Sequence, residues 1–115
     1  MRLVNRRTGA VLAERVERAR SFWRRLRGLI GRAALPEGDA LSLEPCNGIH
    51  TFFMRFPIDA VFLDRERRVL RVVEAMAPYR STRLYRTVVQ VVELPAGTLA
   101  RTGTRPGDDL AFEEV

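Results

Sequence analysis

The chain has 115 residues, 46% hydrophobic and 30% charged, enough for one domain spanning 1–115 with a core of its own and too short for two. Its one Cys excludes an intramolecular disulfide, and 20 basic against 14 acidic residues leave a net charge of +6. All 20 basic residues are Arg, and they are spread along the whole chain, so the charge reads as compositional bias rather than as a nucleic-acid footprint, which gathers on one face.

Residues 1–30 alternate apolar and charged positions and contain no apolar h-region, so neither a signal peptide nor a membrane span is expected. A cytoplasmic protein follows, or an exported one if a leader has been removed. Residues 2–5 and 10–18 flank Thr8-Gly9 and read as an amphipathic hairpin. Ser21 reads as an N-cap, after which Phe22, Leu26, Leu29, Ile30 and Ala33 recur on one side at helical spacing with Trp23 at its edge. A short helix near 21–31 follows, closed by Gly31 or by Leu35-Pro36.

Beyond the Pro-Glu-Gly-Asp turn, strands are predicted at 40–44, 49–55, 58–64, 68–76, 86–94 and 109–113. Short strands at close spacing predict a mainly β fold, an antiparallel sandwich or barrel rather than βαβ units. Trp23, Leu26, Ile30, Phe52, Phe62, Val72, Val89 and Val91 are its predicted core. Residues 78–85, PYRSTRLY, form a polar interruption suited to a loop beside a site. No heptad or long exposed apolar edge is evident, and a monomer is expected.

The stretch 44–64, EPCNGIHTFFMRFPIDAVFLD, gathers the only Cys, the only His, Met54, Arg55 and Asp59 into one apolar run. Polar groups in such a run need partners or a task, because burying them unsatisfied costs several kcal/mol each. Cys46 and His50 are the candidate nucleophile and base of an enzyme, with Asp59 or Glu44 as the orienting third group. Cys46, His50 and Met54 also form a C-x3-H-x3-M series, but a metal site needs further His or Cys ligands that the chain lacks, so no metal and no cofactor is expected. Arg55 and Asp59 bracket Phe56-Pro57-Ile58 and suit a pair that fixes a corner. If 49–55 is a regular strand, His50, Phe52 and Met54 share one face.

The leading expectation is a binding module for a small polar or anionic ligand, such as a sugar or a peptide end, in a pocket formed by Asn47, His50, Thr51, Arg55, Asp59 and Arg80. The Cys46/His50 enzyme is the alternative, and nucleic-acid binding through the Arg-rich helix at 20–32 is the second.

WRRLRGLIGRAAL at 23–35, LSLEPCNGIHTFFMRFPIDAVFLD at 41–64, VVELPAG at 91–97 and PGDDL at 106–110 resemble, in this order, the DUF192 family of uncharacterised bacterial and archaeal proteins. The resemblance implies a compact β-sandwich or jelly-roll-like domain with a small helical insertion. It implies no reaction.

Overall fold

A computed structural model describes residues 1–114, Phe22 by its backbone alone. The chain is mainly β. Its strands are β1 (Arg2–Asn5), β2 (Val11–Ala13), β3 (Arg15–Ala19), β4 (Asp39–Leu43), β5 (Ile58–Leu63), β6 (Val69–Met76), β7 (Gln90–Pro95) and β8 (Leu110–Glu113). Two short helices, α1 (Phe22–Arg27) and α2 (Thr98–Thr102), interrupt them. The strands form a three-stranded sheet, β2-β1-β8, and a five-stranded sheet, β3-β4-β7-β5-β6. Among the described residues no helix is long and apolar enough to cross a membrane.

The larger sheet is not wholly antiparallel as predicted. β3 runs parallel to β4, with Arg15 opposite Asp39 and Ala19 opposite Leu43. Parallel neighbours need a crossover, and residues 20–38, carrying α1, supply it. The expected hairpin therefore parts after β2: β1 and β2 pair in the small sheet, while β3 joins the large one.

β5 is buried along its whole length, and β7 everywhere except Pro95. Such strands read as continuous apolar runs because both faces are covered. On one face Ala40, Val61, Leu63, Val92 and Leu94 pack with Leu3, Leu12 and Leu110 of the small sheet and Leu99 of α2. On the other face Leu41, Leu43, Ala60, Phe62 and Val91 pack with Leu29 and Leu35 of the crossover and with Ile49 and Met54.

The helix is shorter than its sequence periodicity. The Ser21 hydroxyl accepts from the Arg24 N–H at 3.1 Å, as an N-cap should, but Gly28 at φ 52° ends the helix three residues before Gly31. Leu29 then turns into the core, whereas Trp23 stays 74% and Leu26 52% exposed, so neither belongs to the core predicted for it. The side chain of Phe22 lies outside the described residues. Ile30, Val72 and Val89 are half-buried, while Phe62 and Val91 are fully enclosed.

Residues 49–55 form no strand. His50 makes one isolated bridge to Ser81, and the chain then turns at Phe52-Phe53, with Phe53 at φ 64°. Phe52 and Phe53 are consequently exposed, and the predicted two-faced alternation is lost.

Two buried carboxylates fix the connections. Asp59 on β5 accepts from the N–H groups of Ala75, Gly97 and Leu99 at 2.8, 3.1 and 2.8 Å, holding the start of α2 against the sheet. Asp108 accepts from Arg7, Asn5 and the Arg105 N–H, tying the last turn to the first. The bond from Arg7, before all else, holds the Asp108 carboxyl well below the usual carboxylate range.

Phe62 fills the core between β6 and β7, where it meets Tyr85 edge-on at 5.5 Å. Phe62→Ala is expected to cost about 3–5 kcal/mol in urea unfolding. A loss under about half a kcal/mol, the size of a surface substitution, would place Phe62 outside the core.

Candidate functional site

The apolar face of the large sheet is not closed everywhere. Between the turn that ends α1 and the segment 46–54 lies a cleft of about 260 Å³. Leu26, Leu29, Ile30, Leu43, Ile49 and Met54 form its walls, Cys46 and His50 one side, and Arg25 and Arg27 the rim on α1.

Segment 46–54 holds this shape because it is fastened to the loop 77–85. The N–H of Thr51 donates to the Arg80 carbonyl, and those of Tyr79, Thr82 and Tyr85 donate to the carbonyls of Thr51, Ile49 and Asn47, all at 2.8–2.9 Å. The Thr51 hydroxyl donates to the Ala77 carbonyl at 2.7 Å and accepts from the Arg80 N–H at 2.9 Å. Gly48 sits where a side chain would collide with the Arg83 carbonyl, 2.7 Å from its Cβ position. Thr51 is fully buried in this network and fastens the two segments together.

Of the residues expected at the site, Cys46 and His50 line the cleft. The Cys46 thiol donates to the Gly48 carbonyl at 3.1 Å, and burial pushes its pKa up, which is opposite to what a thiolate nucleophile requires. His50 accepts from the Phe52 N–H through Nδ1 at 3.2 Å and stacks on the Phe52 ring at 5.3 Å. The two side chains share a wall without forming a nucleophile–base hydrogen bond.

The other expected residues are elsewhere. Asn47 and Arg55 are exposed and outside the cleft lining, and Arg55 makes no ion pair among the described residues. Asp59 points to the opposite face, where its oxygens hold backbone N–H groups instead of Arg55. Arg80 lies in a separate groove with Arg71 and Arg83. The arginines near α1 are partly engaged: Glu17 pairs with Arg24 at 2.7 Å and Arg32 at 2.8 Å, while Arg25 donates to the Arg20 carbonyl. Among the described residues no group of three or more His, Cys, Asp and Glu side chains is placed to hold a metal ion.

The residue that sequence reading missed is Glu93. It lies on β7 between Leu41 of β4 and Ala60 of β5, on the face that carries Val91, and its side chain is one of the cleft-lining groups. It is 2% exposed, and its Oε1 has no hydrogen-bond partner among the described residues. Burial pushes its carboxyl up to about 8, against a smaller opposing pull from Arg32. Gln90, three residues earlier, also leaves its Oε1 unpartnered, but its amide donates to Ser42 at 2.7 Å on the other face. Glu93 alone joins an unpartnered buried oxygen to an open cleft among these residues.

That acid has a measurable consequence. Between the ordinary Glu value of 4.5 and about 8, the folded chain keeps a proton on Glu93 that the unfolded chain releases. Stability on this account falls as pH rises through that window and falls no further above it. Glu93→Gln is expected to flatten the decline in thermal midpoint between pH 5 and 8 and to raise the midpoint at pH 8. An unchanged pH profile would mean that Glu93 is ionised in the folded protein.

A family model matches residues 3–112: DUF192, described as uncharacterized ACR. A UPF0127 protein of Thermococcus sibiricus is 30% identical, covering 96% of this chain and 74% of its own. A solved protein of unknown function from Novosphingobium aromaticivorans superposes with a TM-score of 0.85 at 22% identity, over 97% of this chain and 84% of that one. A second, called a putative transcription regulator, from Sinorhizobium meliloti, gives 0.77 at 24% identity, over 96% and 89%. At such identities these two structures share the fold with this chain.

Proposed function

The chain belongs to the DUF192 family, and we propose that it is a small-ligand-binding domain whose site is the cleft between α1 and residues 46–54. The observation that carries this reading is that Glu93, buried and with an unpartnered Oε1, is among the residues lining a mainly apolar cleft. A domain that only needed a core would place an apolar residue there, because an unsatisfied buried polar group costs roughly 1–3 kcal/mol. Ligand sites combine apolar walls with few polar groups that set orientation, and this cleft has that composition. Its volume of about 260 Å³ lies just under the ~300–1,000 Å³ of drug-sized pockets, so the ligand is small.

The walls also revise the ligand's character. Asn47, Arg55 and Arg80 would have favoured a sugar or a fully polar anion, but they stand outside; what lines the cleft suits a mainly apolar molecule with a polar group for Glu93. Covalent chemistry at Cys46 has little to support it, since the thiol is protonated and donates to a carbonyl.

A fragment screen followed by amide NMR tests the proposal. Binders are expected to shift Ile30, Gly48, Ile49 and Glu93, and to lose at least tenfold in affinity in Ile30→Trp, which fills the opening. His50→Ala should weaken binding while costing less than about 1 kcal/mol in stability, because its ring sits half-buried at the cleft edge. Fragments that bind only beside Arg71, Arg80 and Arg83 would move the site to that groove.

A further inference from the structure

We propose that the ligand of this cleft is a small apolar monocarboxylate, held by a hydrogen bond to the buried carboxyl of Glu93. The inference rests on the ligand-binding reading above and names the chemical class that fits it.

Geometry supplies the first part. Glu93 occupies a core-facing position on β7, flanked by Leu41 and Ala60, with no partner for Oε1 among the described residues. A carboxyl in such surroundings stays neutral and carries one O–H donor. The cleft therefore offers a donor at its inner end and needs an acceptor. Its apolar walls leave the rest of the ligand no hydrogen-bonding role.

The charges supply the second part. The charged and titratable groups around Glu93 are Arg32 on the crossover, itself paired with Glu17, and Arg25 and Arg27 on α1 with Cys46 and His50 on the 46–54 segment, which line the same cleft; its strand neighbours Leu41 and Ala60 are uncharged. Among the described residues, Glu93 is the only carboxylic acid lining the cleft. The field at the opening is thus positive, and it admits anions while opposing amines. A carboxylate satisfies both conditions, since its charge suits the arginines and its oxygen accepts the Glu93 proton in a charge-assisted bond. An alcohol meets only the donor, and an amine is repelled at the rim.

Proton linkage makes the idea testable with matched probes. Hexanoate, 1-hexanol and hexylamine share one chain and differ in the head group. Titrated into the full chain and followed through the amides of Gly48, Ile49 and Glu93 at pH 6.5, hexanoate is expected to bind at least tenfold more tightly than hexylamine. Above about pH 8, where Glu93 loses its proton, hexanoate affinity should fall about tenfold per pH unit, because one proton is taken up with the ligand. Glu93→Gln, whose amide still donates, should keep binding and lose the pH dependence. Glu93→Leu should lose at least tenfold while remaining folded.

Tighter binding of hexylamine or 1-hexanol, or hexanoate binding indifferent to Glu93→Leu, overturns the carboxylate assignment while leaving the cleft a ligand site. If none of the three probes moves the cleft amides at tens of millimolar, the carboxylate proposal fails; if the fragment screen is also empty, the ligand-binding reading fails with it.

Discussion

Everything in this molecule hangs on the covering of β5 and β7 from both sides. A strand buried on two faces has no solvent side on which to place polar groups, so each residue is assigned to one of two apolar layers by its parity alone. Val92 and Leu94 go to the layer shared with the small sheet, and Val91 and Glu93 to the layer under α1. Asp59, one residue from Ala60, lands in the first layer and meets the N–H groups at the start of α2. Glu93 lands in the second and meets an opening. Two carboxyl groups on adjacent strands thereby receive different places: Asp59 closes a structure, whereas Glu93 lines a cleft.

Much of the framework was legible because continuous apolar runs announce such strands. The segments 58–64 and 109–113 match β5 and β8 to within a residue at each end, and 68–76 matches β6 likewise. Residues 49–55 misled for a physical reason: Phe52 and Phe53 have strong strand propensity, yet their neighbours Ile49, Thr51 and Met54 are the ones buried, a spacing that fits a turn and not a pleat. The helix ran past its real end because Leu29 and Ile30 continue the helical period while Gly28 breaks the backbone beneath them. Pairing direction between β3 and β4 has no local signature, since either orientation would bury the same side chains.

The candidate site was half visible. Cys46 and His50 stood out through rarity and do line the cleft, but rarity says nothing about direction, and the apolar run around them also drew in Arg55 and Asp59, whose side chains go elsewhere. Glu93 did have a signal. In Gln90-Val91-Val92-Glu93-Leu94 the charged residue interrupts a run too apolar for a one-sided strand, and strict period-two counting puts it beside Val91 in the core. Abundance hid it, because the chain has 14 acidic residues and only one Cys and one His.

The sheet margins explain the arginines in a different way. β3 and β6 are the outer strands of the large sheet; on β3 the Val16 N–H is taken up by the Met1 carbonyl, while the outer edge of β6 has no strand beside it among the described residues. β3 carries Arg15, Glu17 and Arg18, and β6 carries Arg71 and Glu74. A second copy approaching edge to edge would have to strip water from those side chains before any ladder formed, a cost that opposes such pairing.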